Sequence, residues 1–203
     1  MPHIIVTSLQ LAGDLASSSS SVASFSTSGN SNSSQDAQRN ILSVVGSTMR
    51  SDRSARLFKI DVPQLDCFFS GTGDMFAALT VARLREAVFY DTSTTPPLRE
   101  TESWISPDNV TATQLPLAKA TEKVLSSMQS ILEKTMIARN EELAKYDAEE
   151  DADLASLPDS ERKSALEKRA HLRQTKAAEV RLVRNVDLLK HPVIKINAEE
   201  WTL

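Results

Sequence analysis

Four consecutive residues, Gly71, Thr72, Gly73 and Asp74, supply two things a group-transfer site needs: bare backbone N–H groups and a carboxylate. A glycine turn that opens a helix leaves N–H groups unpaired, and the helix adds the positive end of its dipole. Together they attract phosphate. A permanent negative charge beside a bound phosphate repels it, so Asp74 makes sense there if it acts on a neighbouring hydroxyl. In phosphoryl transfer the attacking hydroxyl is oriented and deprotonated near phosphorus, while N–H donors stabilise charge on the transferred oxygens. Spacing excludes two familiar phosphate loops. A P-loop requires a Lys-Ser/Thr pair after its second glycine, and the dinucleotide fingerprint requires a small residue where Phe76 stands. The competing reading of Asp74 is a helix cap worth about 1 kcal/mol.

The elements that must position this loop can be read from apolar spacing. His3 to Thr7 (HIIVT) is a β-branched run that reads as a buried strand. Ile41 to Val45 and Arg56 to Val62 read as two further strands joined through the polar turn Gly46 to Ser54, a hairpin. After Pro63, the apolar run LDCFF reads as a fourth strand entering the glycines, and from Asp74 the recurrence of Phe76, Leu79, Ala82 or Arg83 and Val88 predicts a helix. Residues 91 to 115 read as loop. A second helix is expected from Pro116, with Leu117, Thr121, Val124, Met128, Ile131 and Thr135 on a face that packs against a sheet. Val180 to Val183 and Val193 to Ile196 suggest two short terminal strands.

Two stretches stand apart from this pattern. Residues 16 to 34 (ASSSSSVASFSTSGNSNSS) lie in a serine-rich segment, taken as a disordered insertion over 16 to 40, because such a composition cannot offset its ordering entropy by apolar burial. Glu141 to Glu179 is rich in Ala, Glu, Lys and Arg and is broken at Pro158, as expected for exposed helices joined by a turn.

Composition limits the function further. A chain of 203 residues with 40% hydrophobic and 25% charged residues suits one globular domain, and no apolar run approaches the roughly 20 residues of a membrane helix. The net charge of -4 gives no general attraction for nucleic acid. A lone cysteine, Cys67, in an apolar run reads as a small buried hydrophobe, and with no signal-like N-terminus a reducing, cytoplasmic setting is expected. His3, His171 and His191 lack metal-ligand spacing, so no metal site is assigned. Arg50, Arg53 and Arg56 could guide phosphates, but a solvated hairpin tip accounts for them as well.

The run QLDCFFSGTGDMFAAL resembles the signature of pyridoxal kinases, members of the ribokinase-like superfamily. HIIVTS, NILSVVGS, ARLFKIDVPQLD and AEVRLVRNVDLLKHP resemble further segments of that family in the same order, and Thr72 stands where the superfamily's sugar kinases more often have Ala. The resemblance implies an α/β fold, the C-terminal part of a doubly wound sheet with flanking helices, as one partial kinase domain over residues 1–203. It implies ATP-dependent phosphorylation of the 5′-hydroxyl of pyridoxal, pyridoxine or pyridoxamine, giving pyridoxal 5′-phosphate from pyridoxal. Asp74 would be the base and Gly71, Thr72 and Gly73 the anion hole for the γ-phosphoryl group. Thr7 and Ser8 would contact nucleotide phosphates, and Leu65, Asp66 and Cys67 would flank the nucleotide. Magnesium and a homodimer are implied too, with the metal carboxylates and the pyridoxal pocket in an N-terminal half that precedes this segment in the family. By that reading these residues alone do not phosphorylate pyridoxal. The alternative is a non-catalytic remnant that binds nucleotide or a partner.

Overall fold

The computed structural model describes residues 1–9, 41–90, 95–148 and 158–202. The serine-rich segment 16–40 lies outside them. Four strands form one sheet in the order β1 (His3–Leu9), β2 (Ile41–Thr48), β3 (Leu57–Pro63) and β4 (Glu199–Glu200), each antiparallel to its neighbour. The helices are α1 (Thr72–Phe89), α2 (Pro116–Ala148), α3 (Asp159–Ala177) and the short α4 (Val186–Lys190). The result is a mixed α/β structure around a small antiparallel sheet. A parallel, doubly wound arrangement is not present among the described strands.

Alternation decides which side of the sheet is covered. Ile5, Val44, Phe58, Ile60 and Val62 point to one face and pack against Leu117, Ala118 and Leu125 of α2, with Ala112, Leu115 and Ile196 closing the cluster. Gly46 lies opposite Phe58 in the ladder, and a Cβ there would sit 2.1 Å from the Phe58 ring. The glycine therefore makes room for a fully buried aromatic side chain. On the opposite face, Ile4 and Val6 of the edge strand β1 stay exposed.

α2 begins at Pro116, where a missing N–H costs nothing, and its expected face is buried at Leu117, Thr121, Val124, Ile131 and Thr135. It packs against both the sheet and α1, which explains why Ala118 and Leu125, off that stripe, are buried as well. α1 buries Met75 and Val88 and leans Phe76 and Leu84 on the core. In the charged stretch, α2 runs on to Ala148, and Pro158 is the N-cap of α3.

Three expected strands are absent. LDCFF forms no ladder among the described residues: the β2–β3 register ends with Ile41 opposite Pro63, and the chain turns with the Cys67 N–H donating to the Leu65 carbonyl at 2.8 Å. Val180–Val183 turns into a short 3-10 helix, Val183–Asn185, with the Leu182 N–H bonded to the Val180 carbonyl. Val193–Ile196 runs past the side chains of α2 instead of pairing with a strand. Lys195 N–H donates to Ser126 Oγ at 3.2 Å and Ala198 N–H to Glu122 Oε1 at 2.9 Å, and pairing with β3 starts only at Glu199.

Candidate active site

β1 and β3 run in the same direction, so the end of β1 and the exit of β3 lie at one end of the sheet. Thr7 and Ser8 sit there as an exposed β-bulge. The ladder slips between Val6 and Leu9, and Ser8 has φ 62, a left-handed conformation that costs a non-glycine residue about 1 kcal/mol or more. From Pro63 the chain passes through half-buried Leu65, exposed Asp66 and half-buried Cys67, whose thiol donates to the Phe68 carbonyl at 3.3 Å. It then reaches Ser70, whose N–H donates to the Ala178 carbonyl at 3.4 Å in an isolated parallel bridge with Glu179.

Gly71 is the N-cap of α1 and has φ 88, a left-handed conformation that only glycine adopts freely. Its carbonyl accepts the Met75 N–H at 3.1 Å, closing the first helical turn, and buried Met75 pins that turn to the core. Apart from the adjacent residues and the helix's own backbone, no described atom lies within 4 Å of where a Cβ would stand on Gly71 or Gly73, so both positions face open space. An open turn at the start of an 18-residue helix directs unpaired N–H groups at whatever enters it.

Asp74 is the third residue of this helix and is exposed. It does not cap the helix: Gly71 occupies the cap with no side-chain bond, and the Asp74 carboxylate has no hydrogen-bond partner among the described residues. The simple cap reading therefore lacks the bond it requires. No hydrogen bond among the described residues links Thr7 or Ser8 to the glycine turn.

Arg56 belongs elsewhere. It is 2% exposed, and its guanidinium donates to the carbonyls of Pro107 (2.7 Å), Val110 (2.9 Å) and Ser106 (3.1 Å), at the opposite end of the sheet from Gly71. It is no part of a solvated hairpin tip, because three converging carbonyls can hold a buried guanidinium. His3 is likewise structural, bridging Thr48 Oγ1 at 3.0 Å and the Ser103 carbonyl at 2.7 Å. Sequence reading gave no sign of the Ser8 bulge or of the tie from Ser70 to Ala178. Neither has a local signature, since each depends on a chain segment distant in sequence. No group of three or more His, Cys, Asp or Glu is placed to hold a metal ion among the described residues. No helix among them is long and apolar enough to cross a membrane.

No family model matches the sequence, and no curated protein matches it. Among solved structures the chain is similar to pyridoxal kinase from Leishmania donovani in complex with ADP, with a TM-score of 0.45 and 16% identity over 80% of this chain and 35% of that one. It is similar also to Plasmodium falciparum PdxK with AMP-PNP and PL, with a TM-score of 0.43 and 12% identity over 80% and 33% of the two chains. For pyridoxal kinase from Trypanosoma brucei the TM-score is 0.41, with 15% identity over 79% and 34%. The chain thus spans about a third of the length of these structures.

Proposed function

We propose that this chain carries the phosphoryl-transfer end of an ATP-dependent pyridoxal kinase, as a single partial kinase domain over residues 1–203. The observation that carries the reading is a carboxylate, Asp74, unpartnered among the described residues, on the first turn of a helix capped by a left-handed glycine. The loop N–H groups of Gly71, Thr72 and Gly73 hold the γ-phosphoryl oxygens of ATP. Asp74 takes the proton of the 5′-hydroxyl of pyridoxal, pyridoxine or pyridoxamine as that oxygen attacks phosphorus. The exposed bulge at Thr7 and Ser8 contacts the nucleotide phosphates, and Leu65, Asp66 and Cys67 flank the nucleotide. The glycine turn suits a nucleotide's phosphates. By contrast, the described residues do not make up a magnesium site by themselves. In this reading the sheet is one edge of a larger doubly wound sheet that continues beyond β1, and the metal carboxylates and the pyridoxal pocket belong to that continuation.

Nucleotide binding tests the reading directly. Titrating the chain with ATP and with adenosine should show tighter binding of ATP. Gly71→Val should remove that preference, because it fills the open turn and strains a left-handed φ. Asp74→Asn should retain it. Equal binding of ATP and adenosine by the unsubstituted chain would rule out the anion hole.

A further inference from the structure

The geometry points to Arg181 as the residue that positions the anion loop, acting through the backbone of Ala178 and Glu179. This rests on the reading of Gly71, Thr72 and Gly73 as a phosphate cradle. N–H groups bind an anion well only when they are held in a converging arrangement to within about 0.5 Å. The cradle has two anchors. Downstream, α1 holds it through the Met75 N–H and the Gly71 carbonyl. Upstream, Leu65 to Phe69 forms no ladder, and Ser70 is tied by a single 3.4 Å bond to the Ala178 carbonyl.

A lone long hydrogen bond persists only if the acceptor is itself fixed. Ala178 caps the C-terminus of α3, its N–H donating to the Gln174 carbonyl at 3.1 Å and the Glu179 N–H to the Lys176 carbonyl at 3.3 Å, and beyond that cap the first described residue hydrogen-bonded to α2 is Arg181. Its N–H donates to Thr135 Oγ1 at 3.4 Å, its Nη2 donates to Glu142 Oε2 at 2.5 Å, and its carbonyl accepts from Asn185 Nδ2 at 2.8 Å. Thr135 and Glu142 are two helical turns apart and so lie on one side of α2. The Arg181–Glu142 side chains are 19% and 30% exposed, so water and salt screen this pair less than a surface one. α2 also covers the core face of the sheet, so Arg181 fixes the position of residues 178–179, and through them Ser70, relative to the core. Because Glu142 already engages the guanidinium, Arg181 acts on the anion by placing the loop and not by touching it.

The test uses the whole 203-residue chain, with hydrogen exchange at the amides of Ser70 to Asp74 and titrations with ADP and adenosine. Arg181→Met keeps the side-chain length and removes the charge. It should speed exchange at Ser70 by roughly tenfold and weaken ADP by about the same factor, roughly 1.4 kcal/mol. Adenosine affinity and the melting temperature should stay nearly unchanged, and Arg181→Lys should restore most of the loss. Should Arg181→Met fold poorly, Glu142→Gln leaves every backbone bond of Arg181 in place and should show the same pattern more weakly. Unchanged Ser70 exchange in a folded variant overturns the proposal. So does an equal loss for ADP and adenosine together with a lower melting temperature, which is the signature of a merely structural residue. If the unsubstituted chain binds no ADP, the kinase reading fails, while the exchange rates still decide whether Arg181 holds Ser70.

Discussion

Asp74 and Asp108 are both exposed acids at opposite ends of the same sheet, but they are held very differently. Asp108 accepts the backbone N–H of Ser51 at 3.0 Å and the Ser51 hydroxyl as well, and these bonds hold its carboxyl below the usual carboxylate range. Around it, Asp52 accepts the Ser54 N–H at 2.8 Å, Arg50 donates to the Ala55 carbonyl at 3.0 Å, and Arg56 serves three carbonyls. At the hairpin end the side-chain hydrogen bonds close the turn onto residues 106–110. At the loop end the Asp74 carboxylate has no hydrogen-bond partner among the described residues, and the Cβ positions of Gly71 and Gly73 face open space. A carboxylate whose lone pairs are committed to structure is a poor proton acceptor, whereas an unpartnered one beside an open anion cradle is available for chemistry. One end of the sheet is tied by side-chain hydrogen bonds, and in the proposed function the other is the end that binds and reacts.

Substitutions at the two ends should separate stability from turnover, and the largest effect is expected at Asp74. In a pyridoxal-phosphorylating preparation that includes this chain, Asp74→Asn should lower turnover by about 10² to 10⁴ while ATP affinity and melting temperature hold. Steady-state kinetics checks this, and a loss of only a few-fold would make Asp74 a bystander. At the other end, Arg56→Leu should lower stability by about 3 kcal/mol, since it strands three carbonyls in a buried setting. Urea unfolding measures that loss. Little change would mean that the carbonyls find water and that the hairpin end is less closed than its bonds suggest.

Gly46→Ala should cost about 1–3 kcal/mol by driving a methyl group into the ring of fully buried Phe58, with no specific effect on ATP. The smallest effect concerns acid. Glu86 lies below its usual range because it accepts from Lys123 and from Arg83, and Asp108 does so because of Ser51. Groups with lowered pKa values stabilise the fold above the ordinary carboxylate value, about 4, and lose that contribution as pH falls through the lower folded value. Melting temperature should therefore decline below about pH 4, and Glu86→Gln or Asp108→Asn should flatten the decline. A slope unaltered by both substitutions would assign the acid loss to other groups.

Much of this architecture was legible locally. The alternation of Phe58, Ile60 and Val62 and the three-to-four spacing in α1 and α2 each record a buried face, because backbone geometry imposes the period on every residue of an element, whereas the run at His3 forms the expected strand but lies at an edge with no residue fully buried. The glycine turn was legible for the same reason, since Gly71 at φ 88 is a local demand. What apolar runs cannot record is their partner. LDCFF, Val180–Val183 and Val193–Ile196 are as apolar as real strands, yet the first pairs with no strand among the described residues and the last meets hydroxyl and carboxylate groups on α2.

By itself, therefore, the sequence determined α1, α2, the charged helix α3, the hairpin and the glycine turn that precedes Asp74. Only the tertiary structure decided that Arg56 is a buried staple, that Ser8 bulges, that Asp74 has no partner among the described residues and that Ser70 hangs from Ala178. The reason is physical. Periodicity and turn chemistry act over a few residues, whereas a hydrogen bond between positions 56 and 107, or 70 and 178, exists only once distant segments have been packed side by side.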